Sequence, residues 1–153
     1  MKKITFIGLG VMGFPMAGHL SNQGYKVTVY NRSEEKSKLW IKKYVGNYST
    51  SVSEAVADSD IVFSCVGNDS DLRDITLGHD KAFSGMKAGS VFVDHTTTSS
   101  DIAIELSEIA KKHNIHFLDA PVSGGEVGAL KGELTVMIGG ENLIFDRINS
   151  IIR

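Results

Sequence analysis

Three glycines near the start of the chain have the spacing of a phosphate-binding turn. Residues 8–13, with the sequence GLGVMG, follow an apolar run and precede a helix-like segment. In such a unit the first glycine permits a tight turn, the second lets a pyrophosphate approach the backbone, and the third lets the helix pack closely on the strand. The phosphates bind to N–H groups at the positive end of the helix. The pattern predicts a cofactor site that includes Gly8, Leu9, Gly10, Val11, Met12 and Gly13.

The end of the second predicted strand indicates which dinucleotide binds. Domains that bind NAD normally carry Asp or Glu there, about 20 residues after the glycines, to accept hydrogen bonds from the ribose hydroxyls. This chain has Asn31, Arg32 and Ser33 instead. Asn31 has no charge to repel a 2′-phosphate, and the planar guanidinium of Arg32 can bind one. We therefore predict NADP rather than NAD as the cofactor; the alternative is that Arg32 is an ordinary solvated loop arginine.

Strand-like and helix-like segments alternate along the chain, which predicts an α/β fold. Strands are predicted over 3–7, 26–30, 47–49, 61–65, 90–94, 115–119 and 133–138. Helices are predicted over 11–23, 101–113 and 142–152. Three further helices are predicted: one from an N-cap at Ser33 to residue 45, a brief one after an N-cap at Ser53, and one that begins in the loop 67–71 and ends at residue 77. The expected fold is a Rossmann-type doubly wound, mostly parallel sheet, with residues 1–153 as one dinucleotide-binding domain. Right-handed crossovers should bring one set of residues to a single sheet edge: Gly8, Asn31, Gly67, Asp94 and Asp119.

Composition limits the class of protein. The 153 residues are 42% hydrophobic with a net charge of −2, as expected of one soluble domain. Scattered basic residues argue against a nucleic-acid partner, and no apolar segment is long enough to span a membrane. The first residues also resemble a signal peptide, but their glycines and Pro15 argue against one. The single cysteine, Cys65, is predicted to be buried and inert and suits a cytoplasmic location, and no metal site is predicted.

Four motifs together resemble the β-hydroxyacid dehydrogenase family, which includes 3-hydroxyisobutyrate dehydrogenase and the glyoxylate/succinic semialdehyde reductases. The first two are GLGVMGFPMAGHL at 8–20 and NRS at 31–33. The others are DHTTT at 94–98 and DAPVSGGEVGALKGELTVMIGG at 119–140. The last is the most specific because of its length and its Ser-Gly-Gly core, and the four motifs are distributed along the chain from residue 8 to residue 140.

The resemblance implies roles for residues that match the family pattern. Ser123, Gly124 and Gly125 would bind the carboxylate of a small substrate beside the nicotinamide, and Thr97 would lie near both the substrate and the cofactor. The loop of Val66, Gly67 and Asn68 would line the adenosine side of the cofactor, although the family often has Leu-Pro at the last two positions. His95 also departs from the family pattern.

The resemblance further implies an NADP-dependent oxidoreductase that transfers a hydride between NADP(H) and a small β-hydroxyacid or semialdehyde. The family's catalytic lysine belongs to a second, all-helical domain that these 153 residues do not include, and Lys131 does not match it. We therefore expect no catalytic residue in this chain, no activity of the chain alone, and a parent enzyme that forms a homo-oligomer through the helical domain. The alternatives are a stand-alone, non-catalytic dinucleotide-binding module and a relative of 6-phosphogluconate dehydrogenase.

Overall fold

The computed structural model describes residues 2–153 and shows a parallel sheet of six strands in the order β3-β2-β1-β4-β5-β6. The strands are β1 Lys3–Ile7, β2 Lys26–Tyr30, β3 Asn47–Tyr48, β4 Ile61–Ser64, β5 Val91–Asp94, β6 His116–Asp119, β7 Val122–Ser123 and β8 Thr135–Val136. The helices are α1 Gly13–Asn22, α2 Glu34–Lys43, α3 Val52–Val56, α4 Asp69–Thr76, α5 Ala82–Gly85, α6 Ser100–Lys112, α7 Gly125–Lys131 and α8 Asn142–Ile152. The predicted doubly wound α/β fold is confirmed.

The chain reverses its direction of winding at β1. β2 and β3 lie on one side of β1 and β4 to β6 lie on the other, with every pair in the six-stranded sheet parallel. Ligands of such sheets bind beyond the carboxyl ends of the strands at this reversal point. The loops after β1, β2 and β4 therefore define where a cofactor would lie.

Two apolar cores lie on the opposite faces of the sheet. Because successive strand residues point to opposite faces, Phe6 of β1 belongs to one core with Trp40 of α2, and Ile7 belongs to the other with Phe92 of β5. β4 and β5 are buried along their whole length, as expected of central parallel strands covered on both sides. This enclosed sheet is the rigid support for the loops at its edge.

Serine caps fix the starts of two helices. The side chain of Ser51, and not of Ser53 as predicted, accepts a hydrogen bond from the Glu54 backbone N–H at the start of α3. Ser99, one of several candidates, caps α6 in the same way. Ser33 occupies the N-cap position of α2 but makes no side-chain capping bond. The error at α3 arose because three serines within residues 49–53 could each serve as a cap.

The segment after β6 differs most from the prediction. The single strand expected over 133–138 is instead the two-residue β8, which pairs antiparallel with β7 outside the main sheet. The unpredicted helix α7 separates β7 from β8, and the short α5 was also not predicted. Two glycines in the seven-residue α7 give it weak helical propensity, and its buried Ala129, which packs close to α1, supplies a tertiary contact that periodicity does not show.

Within residues 2–153, none of the helices has the length and apolar character required to cross a membrane.

Candidate functional site

The turn after β1 requires glycine at two positions. Gly8 has φ of +99°, and a Cβ atom there would overlap the carbonyl oxygen of Cys65. A Cβ atom at Gly13 would overlap the carbonyl oxygen of Gly8, so helix α1 packs against the turn without any space for a side chain. At Gly10, in contrast, no protein atom lies within 4 Å of a Cβ position. The turn is therefore closed on its protein side and open where a ligand would approach.

Backbone donors remain available at the start of α1. The N–H of Gly8 donates to the Tyr30 carbonyl at 2.9 Å, and the N–H of Leu9 donates to Asn31 Oδ1 at 2.9 Å. Both bonds tie the turn to the end of β2. The N–H groups of residues 10–13 meet no acceptor among the described residues. Unpaired N–H groups at a helix N-terminus favour an anion such as a pyrophosphate, so the residues present fit the predicted cofactor.

A groove of about 900 Å³ runs from this turn across the ends of β2 and β4. Nine of the predicted cofactor-binding residues line it: Gly8, Gly10, Val11, Met12, Gly13, Asn31, Arg32, Val66 and Gly67. None of the other four predicted cofactor-binding residues lines the groove, and one of them, Thr97, is exposed in the loop after β5. The side chain of Leu9 is fully buried in the core, Ser33 begins α2, and Asn68 caps α4 by accepting a hydrogen bond from the Asp71 N–H at 2.9 Å.

Asn31 and Arg32 have different roles in the groove. The Asn31 side chain is committed to the backbone, since Oδ1 accepts from Leu9 and Nδ2 donates to the Ser33 carbonyl at 3.1 Å. The Arg32 side chain is 89% exposed, and its Nη1 lies 3.7 Å from Asp71 Oδ1. Asp71 also lines the groove, although no sequence pattern indicates a role for it. Its position on the first turn of an ordinary polar helix gave no signal of its own.

A buried network joins the ends of β4 and β5 behind the groove. Asp94 Oδ1 accepts hydrogen bonds from Ser64 Oγ at 2.8 Å and from the Thr96 N–H at 3.0 Å, and Thr96 Oγ1 accepts from the Val66 N–H at 3.0 Å. Asp94 Oδ2 has no partner among the described residues. Burial raises the pKa of Asp94 to about 6, although its hydrogen bonds act in the opposite direction. The network holds the Val66 loop in place, a role for Thr96 that the sequence did not reveal.

His95 packs on the face of the sheet away from this network. Its ring stacks on Phe63 with centroids 5.5 Å apart, and its Nδ1 lies 2.7 Å from the Ala120 carbonyl oxygen. A carbonyl can only accept, so Nδ1 carries the proton. Burial lowers the pKa of this histidine. His95, which departs from the family pattern, is thus a neutral residue of the core.

The predicted substrate-binding residues lie outside the groove. Thr97 is exposed in the loop after β5, and Ser123 is exposed on β7, where it pairs with Thr135. Gly124 and Gly125 have φ of +134° and +61° and are also exposed. All four follow the carboxyl ends of the neighbouring strands β5 and β6. The structure therefore puts them on the same edge as the groove but does not bring them into it.

Cys65 follows β4 and lines the groove beside Gly8. It is half-buried, and burial raises the pKa of its thiol to about 11. A thiol with such a pKa is almost entirely protonated at neutral pH, and the thiolate is the reactive form. Cys65 is therefore not fully buried as predicted, because it reaches the groove lining, whereas its inertness stays a prediction that the raised pKa of the thiol supports.

The fold and the groove define a dinucleotide-binding domain. The family model described as "NAD binding domain of 6-phosphogluconate dehydrogenase" matches residues 3–153. The chain belongs to this family. Its dinucleotide-binding domain is therefore related to that of 6-phosphogluconate dehydrogenase, which was one of the alternatives from the sequence.

Several known proteins similar to this chain are named as oxidoreductases or dehydrogenases. It is 53% identical over 152 residues to an uncharacterized oxidoreductase of Shewanella frigidimarina, covering 99% of this chain and 52% of the relative. It is 38% identical to the probable 3-hydroxyisobutyrate dehydrogenase-like 2, mitochondrial, of Arabidopsis thaliana, covering 99% and 50%. The structure of Mycobacterium tuberculosis 3-hydroxyisobutyrate dehydrogenase with L-serine is similar with a TM-score of 0.93 and 30% identity, covering 99% and 51%. The chain spans about half the length of these relatives.

Proposed function

We propose that this chain is the NADP-binding part of an oxidoreductase that transfers a hydride between NADP(H) and a small β-hydroxyacid or semialdehyde. The observation that carries the proposal is the end of β2, where an exposed arginine lines the groove and the neighbouring Asn31 replaces the acidic residue. When bound, the nicotinamide supplies the redox chemistry, and the protein supplies binding and orientation.

The hydrogen bonds of Asn31 support NADP over NAD. A carboxylate at the end of β2 would accept from the ribose hydroxyls and repel a 2′-phosphate. The Asn31 amide instead accepts from Leu9 and donates to Ser33, and it carries no charge. Arg32 is free to move because its contact with Asp71 is long and its side chain is 89% exposed. A guanidinium in this position can form charge-assisted hydrogen bonds to a phosphate.

The substrate class rests on the Ser-Gly-Gly segment and on the names of the relatives. Ser123, Gly124 and Gly125 present a hydroxyl and backbone N–H groups at the exposed end of β7, and such groups are suitable donors to a carboxylate. The Arabidopsis relative is named 3-hydroxyisobutyrate dehydrogenase-like, and the similar Mycobacterium tuberculosis structure is named 3-hydroxyisobutyrate dehydrogenase. The proposal includes a catalytic lysine outside these residues and assembly of the parent enzyme through a helical domain. The 153-residue chain should therefore bind the cofactor without turnover.

Calorimetric titration with NADPH and NADH tests the cofactor assignment. A charge-assisted hydrogen bond contributes about 1.5–3 kcal/mol, and about 1.4 kcal/mol corresponds to a tenfold change in affinity. Arg32→Ala should weaken NADPH binding by roughly ten- to a hundredfold and leave NADH binding almost unchanged. Lys36→Ala, an exposed cation on the neighbouring helix, is the control for a general loss of positive charge. Equal weakening of both cofactors by Arg32→Ala would contradict the assignment.

A further inference from the structure

A carboxylate lies beside Arg32 in the lining of the groove. Arg32 follows β2 and Asp71 lies on the first turn of α4, and both line the groove. The Asp71 side chain is 30% exposed, whereas that of Arg32 is 89% exposed. In the described part of the chain, Asp71 is the one carboxylate within 4 Å of the Arg32 guanidinium. Of the two charged groups, Asp71 is the more enclosed and Arg32 has more freedom to move.

The local backbone positions Asp71 at the start of α4. Asn68 Oδ1 accepts the Asp71 N–H at 2.9 Å, which secures the first turn of α4. A Cβ atom at Gly67 would lie only 2.5 Å from Asp71 Oδ2. The carboxylate thus occupies space that any other residue at position 67 would need for its side chain. Asn68 thus fixes the backbone of Asp71, and the absence of a side chain at Gly67 leaves room for the carboxylate near Arg32.

We propose that Asp71 is a cofactor-specificity residue that limits the preference for NADP conferred by Arg32. This inference rests on the proposed function. A phosphate monoester carries a charge of about −1.5 to −2 at neutral pH, and a 2′-phosphate bound to Arg32 would lie close to Asp71. The carboxylate repels the phosphate and competes with it for the guanidinium. NAD has a hydroxyl at the same position and experiences neither effect.

The other charged residues of the groove do not replace Asp71 in this role. Arg73 is committed to Glu105, with Nη2 and Oε2 2.6 Å apart. Asp74 and Lys81 line the groove, but neither forms an ion pair within 4 Å among the described residues. Asp74 lies on the same helix as Asp71 and carries the same charge. Neutralising Asp74 therefore controls for the loss of one negative charge from α4 at a position that does not contact Arg32.

The test is titration of the 153-residue chain and its Asp71→Asn variant with NADP⁺ and NAD⁺ at two salt concentrations. Asparagine keeps the size of the side chain and removes the charge. We expect NADP⁺ to bind about three- to tenfold more tightly to Asp71→Asn at low salt, since exposed charge pairs typically contribute up to about 1 kcal/mol, which is about a fivefold change in affinity. NAD⁺ affinity should stay within about twofold, and added salt should reduce the gain. Asp74→Asn should have a much smaller effect on the ratio of the two affinities.

Three results would overturn the inference. Equal tightening of both cofactors would mean that Asp71 acts on the shared pyrophosphate, and weaker NAD⁺ binding would mean that the carboxylate accepts a hydrogen bond from the adenosine. An unchanged ratio would mean that Asp71 does not act on specificity. Failure of the proposed function is distinguishable, because the unmodified chain would then bind neither cofactor or would bind NADP⁺ independently of Arg32. The fragments 2′,5′-ADP and 5′-AMP, which differ in the 2′-phosphate, repeat the comparison without the nicotinamide.

Discussion

The glycine turn at 8–13 and the Ser-Gly-Gly segment at 123–125 both contain glycines with positive φ, but their surroundings differ. A side chain at Gly8 would overlap the Cys65 carbonyl oxygen, whereas a Cβ atom at Gly125 would meet no atom within 4 Å. The first turn is enclosed between β1, β4 and α1, and the second is exposed at the end of β7. The protein itself determines the shape of the first turn, while the second offers donors to a ligand and has little packing around it.

This difference explains why the two regions were predicted with unequal success. Glycine spacing between a strand and a helix follows from steric requirements within the domain. The turn, the positions of Asn31 and Arg32 at the end of β2, and the order of elements through β6 apart from the short α5 could therefore be derived from the sequence. The segment after β6 depends on the tertiary contact of Ala129 and on pairing between two two-residue strands, neither of which has a periodic signature. Asp71 and Thr96 were missed because their roles arise from residues distant in sequence.

The largest expected effect is on stability and compares the two turns directly. Gly8→Ala should destabilise the chain by about 3 kcal/mol or more, because a left-handed conformation costs about 1–2 kcal/mol and overpacking adds about 1–3 kcal/mol. Gly125→Ala has the cost of the left-handed conformation but no overpacking, so we expect a loss of about 1–2 kcal/mol in the free energy of unfolding. Urea unfolding monitored by circular dichroism measures both. Similar losses for the two variants would show that the turns are equally constrained.

The buried carboxyl group of Asp94 should make the free energy of unfolding depend on pH. Its pKa of about 6 in the folded state exceeds the ordinary value of 3.8, so the folded state binds more protons between these values. Protonated Asp94 therefore stabilises the folded state fully below about pH 4. This contribution to the free energy of unfolding, up to about 3 kcal/mol, is lost as the pH rises through about 6. The difference in unfolding free energy between the chain and Asp94→Asn, measured from pH 4 to 7, isolates this contribution from that of the other carboxylates. A difference independent of pH would contradict the burial argument.

The smallest expected effect is at Ser123. This side chain is exposed and forms no hydrogen bond among the described residues, so Ser123→Ala should change the free energy of unfolding by less than about 0.5 kcal/mol. The contrasting variant is Thr96→Val, which removes the acceptor of the Val66 N–H behind the groove and should cost about 1–3 kcal/mol. Thermal and urea unfolding of both variants provide the measurement. If Ser123→Ala destabilised the chain as much as Thr96→Val, the hydroxyl would have a structural role, and the proposal that it is reserved for a substrate carboxylate would lose its support. A neutral Ser123→Ala would instead leave the hydroxyl without a structural function, as expected of a group that contributes only when a ligand is bound.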